Sequence, residues 1–286
     1  MSFKFVNDAS ETCKLENIGG LPSGIGTGVS PTLLFWLKTP GGKYFCPIFI
    51  GTDGSGSAFL DHFQCYQEVS GNYLHSYVLP YSGSGGNAIS ATGWSANTWV
   101  PVSCVANLGG ASVLKIGSES DVTNGAISAA WHGGNDGYFD RVRLGMNNNN
   151  EGQSDSLTAY LAHVVILKRA ATSTERGNFA AGDNPLALFS DADIIDYWDG
   201  SSLTGYKGTV LSTGGTGTVT YNDADNPTVD APPGGDVSTG LTGSALTGGH
   251  GTQAPSHTIT LRERFVSLPG IGLLVPGWLT RRTKFA

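Results

Sequence analysis

Apolar residues recur along much of this chain at alternate positions, in short runs broken by Gly, Pro, Asn and Asp, and that spacing predicts strands. The strongest run is LTAYLAHVVILK at 157–168. In an extended chain Ala159, Leu161, His163, Val165 and Leu167 fall on one side, and Tyr160, Ala162, Val164 and Ile166 on the other. Apolar groups on both sides predict a strand in the middle of a sandwich. The residues after it predict a short helix over 171–179, with Thr172 or Ser173 as N-cap, Glu175 in the first turn and a stop near Gly182. Further strands are expected at 32–38 (TLLFWLK), 44–50 (YFCPIFI), 99–106 (WVPVSCVA), 112–117 (SVLKIG), 140–145 (DRVRLG) and 194–198 (IIDYW). Pro47 makes the second of these an edge or a bulged strand. The aromatic-rich segments 59–69 and 72–79 read as a hairpin, while 19–30 and 82–86 read as Gly-rich loops. The compact domain, residues 1–200, is expected to close with 194–198.

Beyond it the texture changes. Residues 201–255 are rich in Gly, Thr, Ser, Asp and Pro and read as a linker. The pattern L-T-G-x-x-G-T occurs there at 203–209 and again at 246–252. Residues 256–286 combine apolar anchors such as Phe265, Leu274 and Trp278 with Arg262, Arg264, Arg281 and Arg282, and are broken by Pro269 and Pro276. Such a segment cannot build a core of its own and needs a surface to lie on, so an assembly arm is expected.

Composition narrows the class. Glycine numbers 42 of 286 residues and charged residues are 14%, which favours many short strands, and 39% hydrophobic residues suffice for a real core. The net charge of −7 disfavours nucleic acid as a partner. Five basic residues against one acid in 262–286 place a basic end on an acidic body, which suits docking on an acidic neighbour. Residues 1–6 show no secretory leader, and no apolar run is long enough to span a bilayer. Synthesis in a host cytoplasm and no membrane partner are therefore expected. Cys13, Cys46, Cys65 and Cys104 lack CxxC spacing and read as buried small hydrophobes.

In their order, the strands at 32–38, 99–106, 112–117 and 140–145, and the closing strand with its capped helical turn, resemble the laminin-G-like and concanavalin-A-like jelly-roll sandwiches. The resemblance covers roughly residues 3–200 and implies an all-β antiparallel sandwich with an extended Gly/Thr/Pro-rich C-terminal arm. Residues 243–261 also resemble Gly/Thr-rich segments of bacteriophage structural proteins. Concanavalin-like glycosidases carry an E-x-D-x-E arrangement, which this chain lacks. Glu119-Ser120-Asp121 and the acids at 191–196 read as solvated turn residues. His163 reads as a hydrogen-bonded structural residue, and no HExxH, G-x-S-x-G or Walker-type loop is present. Laminin-G-like domains often bind Ca2+ at a rim, and that resemblance nominates Asn147, Asn149, Glu151 and Asp155, with Asp53, Asn135 and Asp136 at neighbouring tips. Glycan recognition would draw on exposed aromatic residues beside Asn and Asp, with Trp94, Trp131 and Tyr138 as candidates, each as readily a core aromatic.

The expectation is a non-enzymatic virion structural protein of a bacteriophage without a resident cofactor. It would be a homo-oligomeric capsid decoration or tail-associated protein, bound through its arm to other copies and other virion proteins. The alternative is a glycan-binding receptor-recognition or adhesion module of a tail or fibre that engages a cell-surface glycan. A polysaccharide depolymerase ranks third, since no carboxylate pair nominates itself.

Overall fold

The structure is a computed structural model that describes residues 1–7, 13–18, 25, 28–51, 61–69, 73–80, 84–90, 93–128, 131, 139, 141–146 and 157–230. The chain divides into Met1–Gly235 and Asp236–Ala286. The second unit lies outside the described residues, and with it the arm residues Arg262, Arg264, Phe265, Leu274, Trp278, Arg281 and Arg282.

In chain order the strands are β1 (Ser2–Asn7), β2 (Cys13–Ile18), β3 (Thr32–Lys38), β4 (Phe45–Gly51), β5 (His62–Gln67), β6 (Leu74–Leu79), β7 (Gly86–Ile89) and β8 (Val100–Ala106). They continue with β9 (Ser112–Ile116), β10 (Val122–Asn124), β11 (Arg141–Gly145) and β12 (Leu157–Leu167), then α1 (Ser173–Ala181), α2 (Pro185–Leu188), β13 (Ile194–Trp198), β14 (Ser212–Gly215) and β15 (Thr218–Asp223). They form two antiparallel sheets. Sheet A runs β10-β9-β8-β3-β12-β1-β15 with β13 added against β12, and sheet B runs β14-β2-β11-β4-β5-β6-β7. The fold is the expected all-β antiparallel sandwich.

One core fills the space between the sheets, built from inward residues such as Phe3, Phe5, Leu33, Phe35, Phe63, Val142, Leu161 and Val164. A second, smaller core lies between the outer face of sheet A and the helices, where Leu34, Trp36, Ala162 and Val165 meet Phe179 and Phe189. That is why β12 is apolar on both sides. The strand does not keep one alternation, however. Between Ala162 and Val165 its register against β3 slips by one residue, and His163 takes φ 49°. A β-bulge at this point reverses the parity, so Ala159, Leu161, Val164 and Ile166 face the main core and Ala162, Val165 and Leu167 face the helices.

The helix after β12 forms as its sequence directs. Thr172 Oγ1 accepts from the Glu175 N–H at 3.2 Å, and the Thr172 N–H donates to Glu175 Oε2 at 2.7 Å, a reciprocal capping box. Gly182 ends the helix at φ 101°, a left-handed conformation that glycine adopts without a Cβ clash. Pro47 lies in a strand flanked by β5 and β11, so it is bulged and not at an edge; the register shifts on both sides nearby. Cys13, Cys46, Cys65 and Cys104 are free and buried, and burial raises the Cys46 and Cys65 thiols well above their ordinary range.

Two boundaries need correction. Gly86 begins β7 instead of ending a loop. The linker expected over 201–255 does not begin at residue 201: β14 pairs with β2 at the edge of sheet B, and β15 pairs with β1 at the edge of sheet A. Leu211 is buried in the main core. Asp225 accepts from Lys38 Nζ at 2.5 Å and from Trp99 Nε1 at 3.0 Å, fastening the segment after β15 to sheet A. Thr- and Gly-rich strands at a sheet edge bury little of their own side chains, which is why their composition reads as linker.

Candidate functional site

The outer face of sheet B carries a row of side chains that crosses six strands. Its register places Glu16 beside Arg143, Arg143 beside Phe49, Phe49 beside Gln64, Gln64 beside Tyr77, and Tyr77 beside Asn87. His62 flanks the row on one side, and Tyr66, His75 and Ile89 flank it on the other, with Tyr66 opposite His75 and His75 opposite Ile89. Because β5 reads HFQCYQ and β6 reads LHSYVL, Phe63, Cys65, Leu74 and Val78 point into the core. Alternation therefore sends His62, Gln64, Tyr66, His75 and Tyr77 outward.

The rings on this face touch. Tyr66 stacks on His75 with centroids 4.4 Å apart and planes 13° apart, and Tyr44 stacks on Tyr66 at 5.8 Å. His62 lies 5.3 Å from Tyr77 and 6.0 Å from Phe49, and Tyr66 meets Tyr77 edge-on at 6.4 Å. Such contacts hold each ring at a fixed tilt. Polar groups punctuate the stack. Asn87 Oδ1 is 3.1 Å from His75 Nδ1, and Glu68 Oε1 is 3.1 Å from His75 Nε2. Tyr44, Tyr66 and Tyr77 are half-buried.

Burial shapes the ionisation of this face. It lowers His62 to a pKa of about 4, so the imidazole is neutral at pH 7, and its Nδ1 has no hydrogen-bond partner among the described residues. Burial raises Tyr66 to about 12, with Glu68 adding to the effect. For Glu16 burial pushes the pKa up, but hydrogen bonds from Lys14 and from Arg143 Nε at 2.9 Å outweigh it and leave the carboxyl below its ordinary value. Glu16 is hydrogen-bonded by Arg143, and Glu68 lies beside His75.

The residues nominated from sequence fare differently. Trp131 is 2% exposed, donates from Nε1 to the Val29 carbonyl at 2.7 Å and packs edge-on against Phe139 at 5.0 Å. It is a core residue and not a platform. Trp94 is half-buried and packs against the rim of the same core, away from the aromatic row. Tyr138 and the calcium candidates Asn147, Asn149, Glu151 and Asp155, with Asp53, Asn135 and Asp136, lie outside the described residues. No cluster of three or more His, Cys, Asp or Glu among the described residues is placed to hold a metal ion.

The acids at 191–196 also divide. Asp191 is exposed and meets Lys207 Nζ at 2.5 Å, and Asp193 accepts from Arg169 Nε at 2.9 Å. Asp196 is fully buried, against the solvated reading, because the turn at 203–209 closes over it. Its carboxylate accepts from the N–H groups of Tyr197 at 2.7 Å, Lys207 at 2.8 Å and Thr209 at 2.9 Å. The first L-T-G-x-x-G-T copy is therefore a carboxylate-binding turn. The residues that form the aromatic row were passed over in the sequence, although the alternation His-x-Gln-x-Tyr in β5 and His-x-Tyr in β6 carried the signal.

No family model matches this chain, and no curated protein matches it. Solved structures do align. A heptameric SAP-like pentraxin from Limulus polyphemus aligns at 12% identity and a TM-score of 0.47, covering 77% of this chain and 94% of that one. The binding domain of botulinum neurotoxin serotype D aligns at 14% identity and a TM-score of 0.45, covering 63% of this chain and 42% of that one. The binding domain of Paraclostridial Mosquitocidal Protein 1 aligns at 12% identity and a TM-score of 0.45, with the same coverage of 63% and 42%. This chain thus spans under half the length of the two toxin-domain chains.

Proposed function

We propose that this chain is a non-catalytic binding module that recognises a glycan on the outer face of sheet B. The observation that supports it is the contiguous, half-buried trio Tyr44, Tyr66 and Tyr77, packed on buried His75, His62 and Phe49 and bordered by Asn87 and Glu68. Ring faces suit the C–H face of a pyranose, and amide and carboxylate oxygens between them suit its hydroxyls. No cofactor enters this reading.

A glycan array probed with the full chain tests it. A defined glycan class is expected to bind, and Tyr66→Ala and Tyr77→Ala are each expected to weaken that binding about tenfold, or roughly 1.4 kcal/mol. Both variants should keep the parent circular dichroism. An array without saturable binding, or affinity indifferent to both substitutions, would sink the proposal.

A second reading concerns residues 243–286. Their Gly/Thr-rich lead and basic, apolar end favour a virion structural role, as capsid decoration or a tail-associated homo-oligomer of a bacteriophage, with the arm docked on neighbouring copies or other virion proteins. Cross-linking mass spectrometry on the native assembly tests this, with cross-links expected from Lys284 into a neighbour. Cross-links confined to the chain's own sandwich would remove the arm from the account. Both readings are compatible in one virion protein made in a host cytoplasm.

A further inference from the structure

β12 meets three partner strands. Along one edge it pairs with β3; along the other it pairs with β1 as far as Leu161, opposite Phe3, and with β13 from Val164, opposite Trp198. The change of neighbour falls on the bulge at Ala162 and His163. Here the start of the chain and the end of β13 part, and a cavity of about 270 Å³ opens, walled by α2 and by the segment after β15. Its size is at the lower end for a small-molecule site.

His163 is held at this wall against its backbone preference. His163 takes φ 49°, a left-handed conformation that non-glycine residues adopt where a bulge re-aims a side chain. The ring is 9% exposed, its Nδ1 lies 2.7 Å from the Tyr197 hydroxyl, and the two rings stack 6.0 Å apart at 19°. Burial keeps the imidazole neutral, with a pKa of about 4. Burial, followed by the charge of Asp199, raises the Tyr197 phenol, and its hydroxyl shares a hydrogen bond with His163 Nδ1. Nε2 makes no hydrogen bond among the described residues, and His163 lines the cavity.

The remaining walls define what fits. Asp199 and Asp230 line the cavity, and no Lys or Arg among the described residues does. Asp199 Oδ1 is occupied by the Ser201 N–H at 2.8 Å and hydroxyl at 2.6 Å. Asn184 is tied to the Leu186 N–H and the Asp230 carbonyl, both at 2.9 Å, and so is a fixed support. Leu186 and Val229 add an apolar patch.

From this arrangement we infer that the cavity is a second binding site, for a single-ring, hydroxylated and positively charged ligand of the amino-sugar class. The ammonium group is matched by Asp199 and Asp230, a ring hydroxyl pairs with His163 Nε2, and the C–H face lies on Leu186 and Val229. The site is independent of the sheet B face, which is formed by other strands on the opposite sheet.

Calorimetric titration of the full chain with D-glucosamine, and with methyl glucoside as the uncharged control, tests it. Saturable binding of glucosamine is expected, at least tenfold tighter than the glucoside. Asp199→Asn should reduce that preference at least fivefold, and Tyr197→Phe should weaken glucosamine binding at least fivefold. Tyr66→Ala should leave it unchanged, which separates this site from the sheet B face. Absence of saturable glucosamine binding, or binding unaltered in both Asp199→Asn and Tyr197→Phe with circular dichroism retained, would overturn the assignment.

Discussion

Asp196 is a carboxylate enclosed by three backbone N–H groups, and Gly205 is what lets the turn close on it: a Cβ there would lie 2.4 Å from Asp196 Oδ1. Asp196→Ala would leave buried donors unsatisfied and is expected to cost about 3 kcal/mol in urea unfolding, at about 1–3 kcal/mol for each orphaned group. Gly205→Ala should destabilise in the same assay by displacing the carboxylate. The buried imidazoles give a pH dependence of known sign. His62 and His163 both have folded pKa values of about 4 against an ordinary 6.5. Between those values the unfolded chain holds more protons, so their contribution is complete above about pH 6.5 and is lost as the pH falls through about 4. Unfolding free energies at pH 7 and pH 4.5 should show the loss, and His62→Gln should make it smaller. Residue chemistry of this kind was only partly legible. The acids at 191–196 look alike in sequence, and the segment that distinguishes Asp196 arrives later in the chain.

At the scale of elements, α1 is the clearest case of local instruction. Arg169 grips Glu175 with two hydrogen bonds, at 2.9 and 2.6 Å, and its Nε reaches Asp193. That bond to Arg169 comes first among the causes that hold Glu175 at a pKa of about 2, followed by opposing desolvation and the Thr172 N–H and hydroxyl. The Glu175 contribution is full above its ordinary 4.5 and is lost as the pH falls through about 2. Thr172→Ala should cost about 1 kcal/mol of stability at pH 7, as other N-cap deletions do, measured by denaturant unfolding. The cap, the stop at Gly182 and the strands β3 and β12 were readable because each is specified by neighbours in sequence. β14 and β15 were not, since their stability comes from pairing with β2 and β1, near the start of the chain. The bulge at His163 was equally hidden: uniform apolar alternation through 159–167 gives no sign of where parity reverses, and β13 sets that point by taking over from β1.

For the whole molecule, the sandwich extends past the boundary that composition suggests, and a pair of truncations measures this. A chain ending at residue 235 keeps β14, β15 and the Asp225 tie to Lys38 and Trp99, and is expected to fold with the parent Tm. A chain ending at residue 199 loses buried Leu211 and uncovers an edge of both sheets, and is expected to aggregate or melt far lower. Equal Tm values for the two would return residues 201–230 to a linker. The sequence by itself determined the class of fold, the buried central strand, the capped helix and the buried thiols, because hydrophobic period and capping chemistry act over a few residues. Only the tertiary structure decided that Glu16, Arg143, Phe49, Gln64, Tyr77 and Asn87 form one row, that Trp131 is inside, and that His163 faces a cavity. Those outcomes depend on strand order and register, set by contacts between segments far apart in the chain.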